Sequence, residues 1–229
     1  MNRIVSLFDV DDATKFCPVH EMTVGRVTVH DVNEFCRRWH YSGSGGSALW
    51  RFGLFDGFTL VGVVAYNMPT MQTCESVFGS ELASSVVHMG RLVCAEDAPR
   101  NSESRLIGLS LKMLSNDKPQ LRAVLTFAAQ DQGHLGFVYQ ATNALYTGTG
   151  GFNQNYMKAD GTHISTKGKC SSASRADLLA NGGTLTKALP KHRYIYLLGN
   201  KTQRKESLNL LKLPILPYPK EKIVVVSND

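Results

Sequence analysis

A carboxylate and two phenols fall within one stretch, Gln130-Asp-Gln-Gly-His-Leu-Gly-Phe-Val-Tyr-Gln-Ala-Thr-Asn-Ala-Leu-Tyr-Thr-Gly148. Asp131 has the chemistry of a general base, and Tyr139 and Tyr146 that of proton donors or ring platforms. The polar run Gln-Asp-Gln-Gly-His is costly in a turn that leaves a core strand. Asp131 with Tyr139 therefore reads as functional rather than as a helix cap beside a packing ring. For Tyr146, packing and catalysis stand level. Upstream, Arg122-Ala-Val-Leu-Thr-Phe127 reads as a short buried strand. Downstream, Leu135, Val138, Thr142 and Leu145 recur at helical spacing, with Tyr139, Asn143 and Tyr146 as a neighbouring stripe. This predicts one helix carrying both tyrosines and stopping at Gly148. A strand end bearing such groups is where open α/β sheets place their chemistry.

A second set lies earlier. Asp31-Val-Asn-Glu34 has the pattern of a capping box, opening a helix with Val32, Phe35, Cys36 and Trp39 on one face. That helix ends at His40-Tyr41. The loop Ser42-Gly-Ser-Gly-Gly-Ser47 then follows, small enough to let a ligand approach the backbone closely. For His40 alone, a helix-end histidine bound to a carbonyl is an equal reading. Ala48–Phe55 and Thr59–Tyr66 predict a hairpin about Asp56-Gly57. Gln72–Ser84 predicts a helix, and Val86–Cys94 a strand carrying Arg91. After Ala98-Pro-Arg-Asn101, a helix capped by Asn101 runs to about Ser115. Its N-terminus, with Asn101, Ser102, Ser104, Arg100 and Arg105, offers N–H groups and a dipole to a phosphate. Glu103 argues slightly against an anion there.

The elements that position these residues belong to a 229-residue chain with an ordinary 43% of hydrophobic residues. No apolar run approaches a membrane span, and the first residues do not read as a signal peptide. Cys17, Cys36, Cys74, Cys94 and Cys170 are odd in number and lack zinc spacing, so they read as buried thiols of a reducing, cytoplasmic compartment. Charge is uneven. Lys187 to Lys222 holds nine basic and two acidic residues, leaving 16 basic and 17 acidic elsewhere. A basic segment interleaved with His192, Tyr194, Tyr196 and Tyr218 is the footprint of a polyanion, nucleic acid first. Ile4–Phe8 and Val24–Val29 predict strands. Thr149–Gly183 is rich in Gly, Ser, Thr and Asn, with a hairpin turn at Asp160-Gly161. Arg193–Leu198 predicts a final strand and Thr202–Leu211 a short helix. Proline keeps Leu213–Pro219 extended.

The order helix, hairpin, strand, loop, helix, strand and tyrosine-bearing segment is similar to the GCN5-related N-acetyltransferase fold. The fold class it implies is α+β: a mixed, mostly antiparallel sheet flanked by helices, here as a catalytic domain over residues 1–198 with a basic, proline-containing extension over 199–229. That family holds coenzyme A on a glycine-containing loop. Arg100-Asn-Ser-Glu-Ser-Arg105 has no glycine, which weighs against acyl-CoA use.

A closer resemblance covers most of the chain. His40-Tyr-Ser42, Gly90-Arg-Leu92, Asn101-Ser-Glu-Ser104, Asp131 with Gly133-His-Leu-Gly136, Val138-Tyr-Gln-Ala141, Asp160-Gly161 and Pro190-Lys-His-Arg-Tyr194 together resemble the Mom family of phage DNA-modification proteins. That family converts adenine in phage DNA to its N6-carbamoylmethyl form, which blocks restriction. The resemblance implies His40, Tyr41, Arg91, Ser104, Asp131 and Tyr139 as active-site residues. Asp131 suits acceptance of the N6 proton, Tyr41 and Tyr139 donation to an oxyanion or stacking on the base, and Arg91 the orientation of a carboxylate or phosphate. Asn101, Ser102, Ser104, Arg91 and Tyr146 form the cofactor-binding set. Two cofactor readings stay open: acetyl-CoA, and iron on His40, Tyr41 and Asp131, a set that is not diagnostic. The implied partner is double-stranded DNA with the adenine flipped out, in the host bacterial cytoplasm. Ser42, Lys167, Lys169, Lys191 and Arg193 are the nucleic-acid-binding candidates. Competing readings are an acetyl-CoA-dependent N-acyltransferase on a peptide or small-molecule amine, and a non-catalytic DNA-binding protein.

Overall fold

The computed structural model describes residues 16–150, 154–161, 163–164, 172–187 and 189–220. The expected Ile4–Phe8 strand and Lys167, Lys169 and Cys170 lie outside them. In chain order the elements begin with β1 (Thr23–Arg26), α1 (Val29–Trp39), β2 (Trp50–Asp56), β3 (Thr59–Asn67), α2 (Met71–Phe78), β4 (Val86–Cys94) and α3 (Ser102–Asp117). They continue through β5 (Ala123–Ala128), α4 (Phe137–Ala141), β6 (Leu145–Gly150), β7 (Gln154–Met157) and β8 (His163–Ile164). The last are α5 (Ser172–Ala180), β9 (Thr184–Lys187), β10 (Lys191–Leu197) and α6 (Lys201–Leu210). Among the described residues no helix is long and apolar enough to cross a membrane.

Two compact units divide these elements, one ending at Met68 and resuming over Met89–Pro119, the other comprising Pro69–His88 and the chain from Gln120. Strand β4 passes through both. The larger sheet runs β1-β2-β3-β4-β5-β10-β6, and the pairings β1–β2, β2–β3, β5–β10 and β6–β10 are all antiparallel. This is the α+β, mostly antiparallel architecture that the order of elements predicts.

In the first unit the Asp56-Gly57 hairpin forms as expected, with Gly57 at φ 55° and Asp56 paired to Thr59. Helix α1 buries Val32, Phe35 and Cys36 against Val63 and Ala65 of β3. Each fully buried side chain of this kind contributes roughly 1.5–3 kcal/mol. The capping box falls three residues earlier than the sequence suggests. Thr28 is the N-cap and Asp31 the reciprocating residue, because the Thr28 hydroxyl accepts from the Asp31 N–H while the Asp31 carboxylate accepts from the Thr28 N–H. Glu34 instead pairs with Arg37 on the exposed face.

The second unit centres on Val77, Phe78, Val86, Ala123, Leu125 and Ile195, with Leu211 and Leu213 packed against them. Its small second sheet has the order β8-β7-β9, and β7 and β8 form the hairpin expected about Asp160-Gly161. The segment after α6 is extended, as its prolines require. It is held there by Lys212 N–H to Val77 O, Leu216 N–H to Tyr146 O, and the Tyr218 hydroxyl to Ala144 O. The predicted helix Gln72–Ser84 is interrupted. Gly79, at φ 97°, separates α2 from a 3-10 helix over Ser80–Ser85.

The largest departure lies at the stretch that carries the chemistry. The helix expected to reach Gly148 stops after Ala141. Thr142 turns its hydroxyl back onto the carbonyls of Val138 and Tyr139, at 2.7 and 3.2 Å, and Asn143 takes φ 61°. Asparagine in the left-handed region ends helices as glycine does. Leu145 and Tyr146 then pair with Ile195 and Tyr194 of β10. Tyr146 is therefore a strand residue, not a helix residue one turn beyond Tyr139.

Candidate active site

The first unit gathers His40, Tyr41, Ser42 and Arg91 about one loop. His40 leaves α1 in extended conformation, and its ring stacks on Tyr41 with centroids 4.3 Å apart. His40 Nδ1 accepts from the Ser42 N–H at 3.1 Å and meets the Ser42 hydroxyl at 2.8 Å. Tyr41 is exposed. The loop is more constrained than its composition suggests. Gly45 N–H donates to Asn33 Oδ1, and a Cβ at Gly45 would lie 2.6 Å from that oxygen, so only glycine fits. Arg91 closes the loop from β4, donating from Nε to Ser44 O at 2.6 Å and from Nη1 to Gly90 O at 2.7 Å. Its guanidinium thus holds the loop through Nε and Nη1.

At the start of α3, Asn101 sits at the N-cap position with φ 73° and makes no capping bond through its side chain. Ser102 is fully buried, and its hydroxyl donates to Pro99 O at 2.7 Å. Arg105 Nε donates to Met22 O. Asn101 is exposed and Ser104 half-buried at this helix start, whereas Ser102 faces inward.

In the second unit β5 delivers Asp131 on a one-turn 3-10 helix, Gln130–Gln132. Asp131 is exposed, and its carboxylate caps neither this turn nor α4. Gly136 follows at φ 76°, and a Cβ there would strike the Tyr194 ring at 2.6 Å and the Tyr139 ring at 3.0 Å. Glycine lets the chain pass between two aromatic rings. Tyr139 lies 5.4 Å from Tyr194 between centroids, and Tyr194 lies 5.2 Å from Tyr146. The Tyr194 hydroxyl donates to Leu135 O, and Gln140 Nε2 donates to that hydroxyl at 3.1 Å. Burial pushes the Tyr194 phenol up to about 12 and raises that of Tyr146 as well, so both rings stay protonated. The Tyr146 hydroxyl meets His192 Nδ1 at 2.9 Å. Burial lowers the pKa of His192 and favours its neutral form.

The nucleic-acid candidates differ in exposure. Ser42 is exposed and Lys191 half-buried at the start of β10. Arg193 donates from Nε to Thr147 Oγ1 at 3.0 Å and from Nη2 to Thr147 O at 2.8 Å, which joins β10 to β6. Among the described residues no group of three or more His, Cys, Asp or Glu stands where it could hold a metal ion, so the iron reading gains no support. Two further polar residues of this unit, Gln130 and His192, are buried. In the sequence they are marked only by residue type, a polar residue two positions beyond an apolar strand and one member of the alternation His192, Tyr194, Tyr196 along β10.

Solved structures similar to this chain include N-acetyltransferases. A spermidine/spermine N-acetyltransferase of Vibrio cholerae is 11% identical and covers 83% of this chain and 97% of its own, with a TM-score of 0.45. The ribosomal-protein-S18-alanine N-acetyltransferase of Escherichia coli is 9% identical and covers 78% of this chain and 95% of its own, with a TM-score of 0.43. Residues 21–220 match the Mom protein family, and the chain belongs to that family. The methylcarbamoylase Mom of Escherichia phage Mu is 27% identical over 174 residues, covering 73% of this chain and 70% of the relative.

Proposed function

We propose that this protein is a transferase that modifies adenine at N6 in double-stranded DNA, installing a carbamoylmethyl group and so shielding phage DNA from restriction. The observation that carries the reading is membership of the Mom family, reinforced by likeness to the phage Mu methylcarbamoylase over most of the chain. Adenine N6 is a poor nucleophile because its lone pair is delocalised into the ring. Asp131 is the base: as N6 attacks the electrophilic carbon of the donor, the N6–C bond forms, the leaving group departs with its bonding electrons, and the carboxylate takes the N6 proton. Its exposure and the lack of a capping role suit that task. Tyr139 stacks on the base or donates to developing negative charge. In the first unit His40 stacks on Tyr41 and hydrogen-bonds to Ser42. Arg91 orients a carboxylate or phosphate. In the alternative acyltransferase reading Asn101 and Ser104 would hold an acyl-CoA, whose thioester carbon would give N6-acyl adenine rather than the carbamoylmethyl form; Ser102 is withdrawn from that set. Extrusion of the base from the duplex is required, since N6 is otherwise out of reach of a side chain in a site of this kind.

Expression in a bacterial host, followed by digestion of host DNA and mass measurement of the nucleosides, tests the reading. Carbamoylmethylation adds C2H3NO to deoxyadenosine, and acetylation adds C2H2O. The expected product carries the former. Asp131→Asn is nearly isosteric and should lower the yield by about a hundredfold or more, and Tyr139→Phe should lower it with the fold intact. Unmodified adenine in a host that expresses the folded protein overturns the function. Modification that survives Asp131→Asn removes Asp131 as the base.

A further inference from the structure

Two buried side chains of the second unit hold hydrogen-bonding atoms that remain unsatisfied. Gln130 is 5% exposed, and neither its Oε1 nor its Nε2 has a partner. His192 is equally buried. Its Nδ1 meets Tyr146, but its Nε2 has no partner. Native interiors rarely keep such groups, because an unpaired buried amide or imidazole loses its water bonds without replacement.

Both side chains stand on one face of the β5–β10 ladder. His192 is the register partner of Ala128. Ala129 is extended, at φ −78° and ψ 112°, so Gln130, two residues beyond Ala128, leaves on the face that Ala128 and His192 share. Gln130 and His192 are thus diagonal neighbours, on the order of 7–8 Å apart between backbones. One small planar group spans that distance. Asp131, Gln132, Gly133 and His134, directly after Gln130, are all exposed, so the pair lies beneath a surface turn that a bound base would displace.

We infer that Gln130, with His192 beside it, reads the hydrogen-bonding edge of the target adenine, an assignment that rests on the function proposed above. A carboxamide presents an acceptor beside a donor. Adenine presents the complement, an N6–H beside a ring nitrogen, and the two pair in bidentate fashion. Cytosine carries a like pair on a single ring, whereas the second contact at His192 Nε2 suits the longer bicyclic base. The assignment gives the neighbouring carboxylate its geometry: Gln130 Oε1 holds one N6 hydrogen, and the other faces Asp131. Tyr146 is a positioning residue here, fixing the His192 ring through Nδ1.

Fluorescent thymidine oligonucleotides with one central adenine, purine (which lacks the amino group) or cytosine test this by equilibrium anisotropy. Wild-type protein should favour adenine over purine by about tenfold or more. Gln130→Met, similar in length and apolar, should bring that ratio to about one. Its thermal midpoint should be unchanged or raised, because the unpaired amide is gone. His192→Phe should narrow the preference for adenine over cytosine. A wild-type ratio near one, a Gln130→Met variant that keeps the preference, or one whose midpoint falls and so reveals a structural role, each overturns the inference. Modified host DNA together with a wild-type ratio near one removes this assignment and leaves the function. A tenfold ratio without modified DNA removes the transfer reaction and leaves the base reader.

Discussion

Burial of His192 couples its titration to stability. Burial holds its folded-state pKa below the usual 6.5. The unfolded chain therefore binds the proton more readily, and stability falls as acid is added. The contribution is fully present above about pH 6.5 and is lost progressively below it, towards the lower folded value. Urea unfolding should show the midpoint dropping between about pH 7.5 and about pH 5.5. His192→Gln does not titrate and should flatten that dependence. Superimposable pH profiles for the two proteins would assign the acid sensitivity to other groups. At this scale the sequence singles out Asp131, because a carboxylate after an apolar strand is conspicuous, and Asp131→Asn tests its proposed role. The unsatisfied atoms of Gln130 and His192 are not visible there, because an unsatisfied atom is a property of surroundings that no residue type announces.

Among the elements, the α4–β6 junction decides where the tyrosines go. Hydrophobic spacing favours a helix through Leu145, and it extends to Tyr146. Strand pairing with β10 wins, since Tyr146 buries its ring against Tyr194 and His192 only from a strand. Asn143 makes the change of direction at φ 61°. Asn143→Ala should cost about 1 kcal/mol, while Asn143→Gly should be neutral or stabilising. For a chain of this length that places the alanine variant's melting midpoint about 2–4 °C lower. Equal midpoints for Ala and Gly would mean that the left-handed residue does not limit the junction. The capping box shows a gentler version of the same contest. Thr28 and Asp31 satisfy the first turn of α1 together, and the Asp31–Glu34 pattern loses because Glu34 has Arg37 within reach.

At the scale of the whole molecule, the basic excess takes physical form on α6. Lys201, Arg204 and Lys205 are exposed on one short helix whose inward contact is Ser207. Arg193 is committed to Thr147, so it belongs to the structure of the β10–β6 pair rather than to a charge surface. Replacing Lys201, Arg204 and Lys205 with glutamine should lower the slope of log K against log salt for DNA by about 0.9 for each phosphate no longer neutralised. Arg193→Ala should instead lower the melting midpoint. An unchanged salt slope in the triple variant would place the DNA surface away from α6.

The sequence alone determined the alternation of elements, the hairpin at Asp56-Gly57, the amphipathic face of α1, the extended proline segment and the Mom-family motifs. These depend on local spacing, turn chemistry and residue order, which need no partner strand. Only the tertiary structure decided that Tyr146 lies on a strand, that Arg91 and Arg193 spend their donors on backbone and threonine oxygens, and that Ser102 faces inward. It also decided that Gln130 and His192 are buried on one face with atoms to spare. Those outcomes depend on which groups a distant segment brings within hydrogen-bonding distance, and a buried polar atom is settled by its neighbours in space rather than by its neighbours in the chain.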